Sequence, residues 1–174
     1  MTDSSNSNIY TYQADAAWAR HAEHLAGARQ GLVAVVGTRM PSEAVQNALE
    51  ASFQRLGYGA DPCTWMALEG VSGAAVGVRG DEIAGETVAA GTPAAALTTA
   101  ELYGLLEALD PLVLVATDAA AGRALGAVYR AEFKAMAHCR ALGRSVVVLP
   151  RPDELLASRE GKQRLWTLLK QLGR

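Results

Sequence analysis

Four short runs of apolar residues punctuate the chain: LVAVV at 32–36, CTWMAL at 63–68, LVLVA at 112–116 and SVVVL at 145–149. None alternates apolar with polar, which is the pattern of strands covered on both faces, as in a parallel sheet. Helical spacing fills the intervals. Ser42 reads as an N-cap with Glu43 favourable to the helix dipole, followed by Val45, Leu49, Phe53 and Leu56 and closed by Gly57. Thr98 and Glu101 form a capping box for a helix that ends at Asp110-Pro111. Asp118 caps a long helix predicted to stop at Gly143, and further helices are predicted over residues 13–29 and 153–172. Leu165, Trp166, Leu168, Leu169 and Leu172 make one side of the last helix apolar. Strands that alternate with helices predict right-handed crossovers and a three-layer α/β/α fold around a central, mainly parallel four-stranded sheet. Residues 70–97, rich in Gly and Ala without periodicity, read as a long loop or excursion. Residues 1–11 read as a disordered lead-in to a single α/β domain over 12–174.

Composition narrows the function classes. No apolar run reaches the roughly 18 residues a membrane helix needs, and MTDSSNSN lacks a basic-then-apolar export signal, so a cytoplasmic location away from the membrane is expected. Cys63 and Cys139 are too few for a zinc or iron–sulfur site and read as small buried hydrophobes. No metal-ligand spacing appears, and no cofactor is expected. The net charge of −2 hides a split: residues 1–120 carry 5 Lys/Arg and 14 Asp/Glu, residues 121–174 carry 11 and 4. The basic third is either a face for nucleic acid or a phosphate-bearing small molecule, or simply the solvated side of the last helices. Only Tyr129, Phe133 and Trp166 interleave those basic positions, at core-like spacing, which argues against a single-strand stacking platform.

Ligands of open parallel sheets bind beyond the carboxyl ends of the strands. Four segments hold such ends here: Gly37-Thr38-Arg39-Met40-Pro41, the region after Leu68, Thr117-Asp118, and Pro150-Arg151-Pro152-Asp153. The candidate ligand-binding residues are therefore Gly37, Thr38, Arg39, Pro41, Thr117, Asp118, Arg151, Pro152 and Asp153. The stretch from Gly37 to Ser42 joins a strand to a helix N-terminus, a natural anion site, but it is neither a Walker loop nor a dinucleotide fingerprint. Arg39 either grips a phosphate or carboxylate or faces solvent. Asp118 is first of all an N-cap, and Asp153 either pairs with Arg151 or starts a helix. If Arg39 and Arg151 share a cleft they repel unless Asp118, Asp153 or a bound anion joins them. His21, His24 and His138 fall on predicted helices away from the strand ends, His138 near a helix C-terminus. No catalytic triad or dyad is complete.

LLEALDPLVLVATDAAAGRAL, residues 105–125, reads as a helix, an apolar strand and an alanine-rich helix start. In this the second half resembles the uracil-DNA glycosylase-like superfamily, whose strand is of the type L-x-P-x-x-V-V-x-L-G. VVVLPRPDELLASREGKQRLWTLLKQL, residues 146–172, is similar to its last strand, H-P-x-x-L-L motif and K…W…L…L helix, keeping Pro152, Leu155, Leu156, Lys162, Trp166 and Leu169. VAVVGTRMP stands where the family has a strand and G-x-x-P, so the likeness spans about residues 32–172. The resemblance implies base recognition, but its catalytic parts are altered. Thr38, Arg39 and Met40 replace the Asp, Asn or Glu that positions water, with an extra residue before Pro41, and Arg151 replaces the motif histidine. The family's iron–sulfur cysteines are absent too. A degenerate member without glycosylase activity is expected, binding a nucleobase, nucleotide or nucleic acid.

A second resemblance joins Gly37-Thr38-Arg39-Met40-Pro41-Ser42, Val71-Ser72-Gly73 and Leu142-Gly143-Arg144 to the Rossmann-type nucleotide-binding family of DNA-protecting and cytokinin-activating proteins, which hold phosphates in Gly-rich loops. A third reading is a protein-interaction module with no small-molecule site.

Overall fold

The computed structural model describes residues 7–70 and 95–172. Helix α1 (Ser7–Arg20) leads through a short 3₁₀ turn to β1 (Leu25–Gly27). There follow β2 (Val33–Gly37), α2 (Glu43–Arg55), β3 (Cys63–Ala67), α3 (Thr99–Leu109), β4 (Val113–Ala116), α4 (Ala119–Tyr129), β5 (His138–Ala141), β6 (Arg144–Val148), α5 (Pro152–Ala157) and α6 (Arg159–Leu169).

The four predicted strands are β2, β3, β4 and β6, and they lie side by side, all parallel. The sheet nevertheless has six strands, in the order β1-β3-β2-β4-β6-β5, and it is mixed. Short antiparallel strands flank the parallel set, β1 against β3 and β5 against β6. This corrects the four-stranded expectation, and two predicted helices account for the difference. The first helix ends at Arg20 rather than 29, and the one after Asp118 ends at Tyr129 rather than 143. Arg130 closes α4 in the left-handed region at φ 51°, and His138–Ala141 then turns back along β6 through Leu142 and Gly143 at φ 47° and 84°. Two successive positive φ values are what a tight hairpin turn demands. An exposed leucine held there costs roughly 1–2 kcal/mol.

The strands are apolar throughout because alternate residues enter two separate cores. Ala34, Val36, Leu114, Ala116, Val146 and Val148 pack with α3, α4 and Ala14 of α1. Val33, Val35, Val113, Val115, Val147 and Leu149 pack with Leu49 and Phe53 of α2 and Leu165 and Leu169 of α6. Each fully buried side chain of this size contributes about 1.5–3 kcal/mol. The predicted caps form as written: Ser42 on Val45 N, Asp118 on Ala121 N, and the reciprocal Thr98–Glu101 box. The last predicted helix is broken at Ser158, which caps α6 through Gly161 N. Cys63 is buried and Cys139 half-buried. Among the described residues no helix is long and apolar enough to cross a membrane. Most of the Gly/Ala-rich stretch at 70–97, including Val71-Ser72-Gly73, lies outside the described residues.

Candidate functional site

Strand order reverses between β2 and β4: the chain leaves β2 for β3 on one side and returns to β4 on the other. In open α/β sheets such a reversal opens a crevice at the carboxyl ends. Here the two loops at the reversal are bonded to each other. The Asp118 carboxylate accepts from Thr38 N at 2.6 Å, from Thr38 Oγ1 at 2.9 Å and from Ala121 N at 2.7 Å. Burial alone would raise its pKa, but these backbone and hydroxyl donors outweigh burial and hold it below the ordinary 3.8. Thr117 is buried beside it, its hydroxyl on Val36 O at 3.3 Å. Gly37 is required by this closure, because a Cβ there would meet the Arg39 carbonyl and lie 2.6 Å from Thr117 Oγ1.

Gly37, Thr38, Thr117 and Asp118 thus form one node. The other candidates surround it without joining it. Arg39 Nε donates to Glu69 at 3.0 Å, and Arg151 Nη1 to Glu154 at 3.1 Å, both pairs open to solvent. Neither arginine takes Asp118 or Asp153, the aspartates expected of them. Asp153 instead accepts from the Ser42 hydroxyl, tying the start of α5 to the cap of α2. Pro41 O accepts from Gln46 Nε2 at 2.8 Å, and Pro152 is buried in the first turn of α5. Among the described residues no buried side-chain nitrogen or oxygen lacks a partner, and no group of three or more His, Cys, Asp or Glu could hold a metal.

Two of the histidines, His24 and His138, serve the fold. His24 lies on the 3₁₀ turn rather than a long helix, buried, its Nδ1–H donating to Ala67 O at 2.7 Å. His138 lies on β5, not at a helix end, with Nε2 3.1 Å from Ser145 Oγ. Burial first, then the Glu50 carboxylate, pushes the Cys63 thiol far up, so it stays protonated and inert.

One feature of the same edge escaped the sequence. A groove of about 550 Å³ lies between α4, the 131–135 segment and the end of β6. Gly122, Arg123, Gly126, Arg130, Glu132 and Phe133 line it. Both glycines are set by packing: a Cβ on Gly122 would lie 2.9 Å from Val148 Cγ1, and one on Gly126 2.7 Å from Ala131 O. A helix continued to 143 would have scattered these residues; the break at Arg130 folds Phe133 back, its ring 6.4 Å from that of Tyr129 at 66°. The available clue was Gly143, which with Leu142 makes the hairpin turn.

At the opposite, amino edge, Arg144 is buried. Its guanidinium donates to Pro111 O at 3.1 Å, Tyr129 OH at 3.2 Å, Asp110 Oδ1 at 2.9 Å, and Glu107. Burial pulls its pKa down, but the bonds to Glu107 and Asp110 prevail and raise it, so the charge is permanent. No family model matches the chain, and no curated protein matches it in sequence.

Proposed function

We propose that the chain is a uracil-DNA glycosylase-like protein that binds a nucleobase, nucleotide or nucleic acid and does not excise a base. The observation that carries the second half is the state of Asp118. A carboxylate that positions water must be free to turn to it. Asp118, the carboxylate at the strand-order reversal, is held by both oxygens, with three of its roughly four acceptor positions given to Thr38 and to capping α4. The loop after β6 offers a guanidinium, Arg151, already paired with Glu154, where the resemblance calls for an imidazole to steady the leaving anion. Kinship is supported by order and placement. Pro152, Leu155 and Leu156 fall on α5 directly after β6, and Lys162, Trp166 and Leu169 on α6. The expected outcome is no uracil release from single- or double-stranded uracil-containing DNA at stoichiometric protein. Release that disappears in Arg151→Ala would overturn the reading and make Arg151 the anion stabiliser.

The Rossmann-like reading draws on the reversal between β2 and β4, where dinucleotide folds bind their ligand. The Thr38 N–H, which a phosphate would need there, is taken by Asp118.

A further inference from the structure

We infer that the groove between α4, the 131–135 segment and the end of β6 takes a nucleoside phosphate, free or at the end of a single strand, with Arg123 and Arg130 on the phosphate and Phe133 against the base. The inference deepens the reading above and rests on it. The groove reaches Val148 and Pro150, at the carboxyl edge where parallel sheets bind ligands. Its volume of about 550 Å³ matches small-molecule sites, which run from roughly 300 to 1,000 Å³.

One face of α4 builds it. Ala119, Gly122, Arg123, Gly126 and Arg130 recur at helical spacing, so small residues form the floor and arginines stand beyond it. Arg123 and Arg130 are two turns apart, about 10 Å along the axis. Both are exposed, and among the described residues neither side chain forms an ion pair or hydrogen bond. Arg39, Arg144, Arg151 and Arg164 each hold a carboxylate. Two unpaired guanidiniums on one groove repel each other until an anion joins them, and their forked donors suit phosphate oxygens.

Phe133 supplies what phosphate alone would not need. It is half-buried and braced against Tyr129, so a base meets a ring already held in place. Glu132 is the acid on the lining. A carboxylate accepts from the exocyclic amine of cytosine and repels the carbonyl that uracil carries at that position. Cytidine phosphates should therefore bind better than uridine phosphates, a preference no catalytic uracil site would have.

The test titrates the full chain by calorimetry with CMP, UMP, inorganic phosphate and a 5′-phosphorylated oligodeoxycytidine. CMP should bind more tightly than UMP, and more than about tenfold more tightly than phosphate. Arg123→Ala and Arg130→Ala should each weaken CMP about tenfold with the thermal midpoint unchanged. Glu132→Gln should narrow the CMP/UMP gap, and Phe133→Leu, which keeps the packing, should reduce affinity for CMP but not for phosphate. Raising salt from 50 to 200 mM should weaken the oligonucleotide about sevenfold for two phosphate contacts. Binding of the oligonucleotide without CMP identifies a strand end as the source, and CMP alone a free nucleotide. Nucleotide binding that survives both groove variants but falls in Arg39→Ala or Arg151→Ala overturns the groove and leaves the wider reading standing. No binding by any nucleotide, by the oligonucleotide, or by cytosine and uracil titrated as free bases overturns both. Uracil release overturns the non-excising reading while the groove stands on its own titration.

Discussion

The first residue of β6 and the groove face of α4 carry the same residue type under opposite conditions. At the amino end Arg144 is buried among Pro111, Glu107, Asp110 and Tyr129, every donor group engaged. On the groove face of α4 the Arg123 and Arg130 side chains stand in water, with no ion pair or side-chain hydrogen bond among the described residues. A buried guanidinium is tolerated only when its hydrogen bonds are made, and once made they fasten the elements that supply them. Arg144 joins the end of α3, the start of β4 and the end of α4 to β6; Asp118 does the equivalent at the far edge, joining the loop after β2 to α4. Charges used in this way are committed to the fold, and the ones left over are those a partner can claim.

The comparison can be broken most sharply at Arg144. Arg144→Met should cost about 2–4 kcal/mol in urea denaturation, at the lower end because Glu107 and Asp110 reach solvent once released. Nucleotide titrations should not change. A stability loss under about 1 kcal/mol would place Arg144 with the ordinary surface arginines.

Asp118 gives the next effect. Asp118→Ala should cost about 2–3 kcal/mol, since it removes a helix cap and strands the Thr38 N–H. Asp118→Asn should cost less, because its amide oxygen still caps while its NH₂ opposes Thr38 N. The acid dependence follows from the lowered pKa. Asp118 contributes fully above its ordinary value of 3.8 and loses that contribution as pH falls through the lower folded value. The thermal midpoint should drop over that window, and Asp118→Asn should flatten part of the drop. An unchanged slope would mean that the carboxylate adds nothing through its charge.

The smallest effect is expected at the exposed pairs. Arg39→Ala and Arg151→Ala should each change stability by no more than about 0.5 kcal/mol, as solvent-screened ion pairs do.

The parallel core and its caps were legible in the chain because each rests on local chemistry: unbroken apolar runs for β2, β3, β4 and β6, and side-chain acceptors at Ser42, Thr98 and Asp118. The flanking strands were not. Leu25-Ala26-Gly27 and His138-Cys139-Arg140-Ala141 are short and carry no strand periodicity; they become strands because β3 and β6 offer them unpaired backbone. Of the candidate site, the node at Gly37, Thr38, Thr117 and Asp118 could be placed at one edge from strand ends alone. That the node would be closed, and that Arg39 and Arg151 would find Glu69 and Glu154, depended on three-dimensional neighbours. The α4 groove was hidden by the helix predicted to run through it to Gly143.

The flanking strands have one more consequence. A parallel sheet with bare sides would offer rows of open N–H and C=O groups on which further chains could stack without limit. Here three residues on one side and four on the other cover those rows. Gly27, in the left-handed region at φ 83°, ends one ladder, and the Leu142-Gly143 turn confines the other to a hairpin. The apolar strands that would otherwise lie at the two sides, β3 and β6, are thereby kept from pairing edge to edge with further copies of the chain.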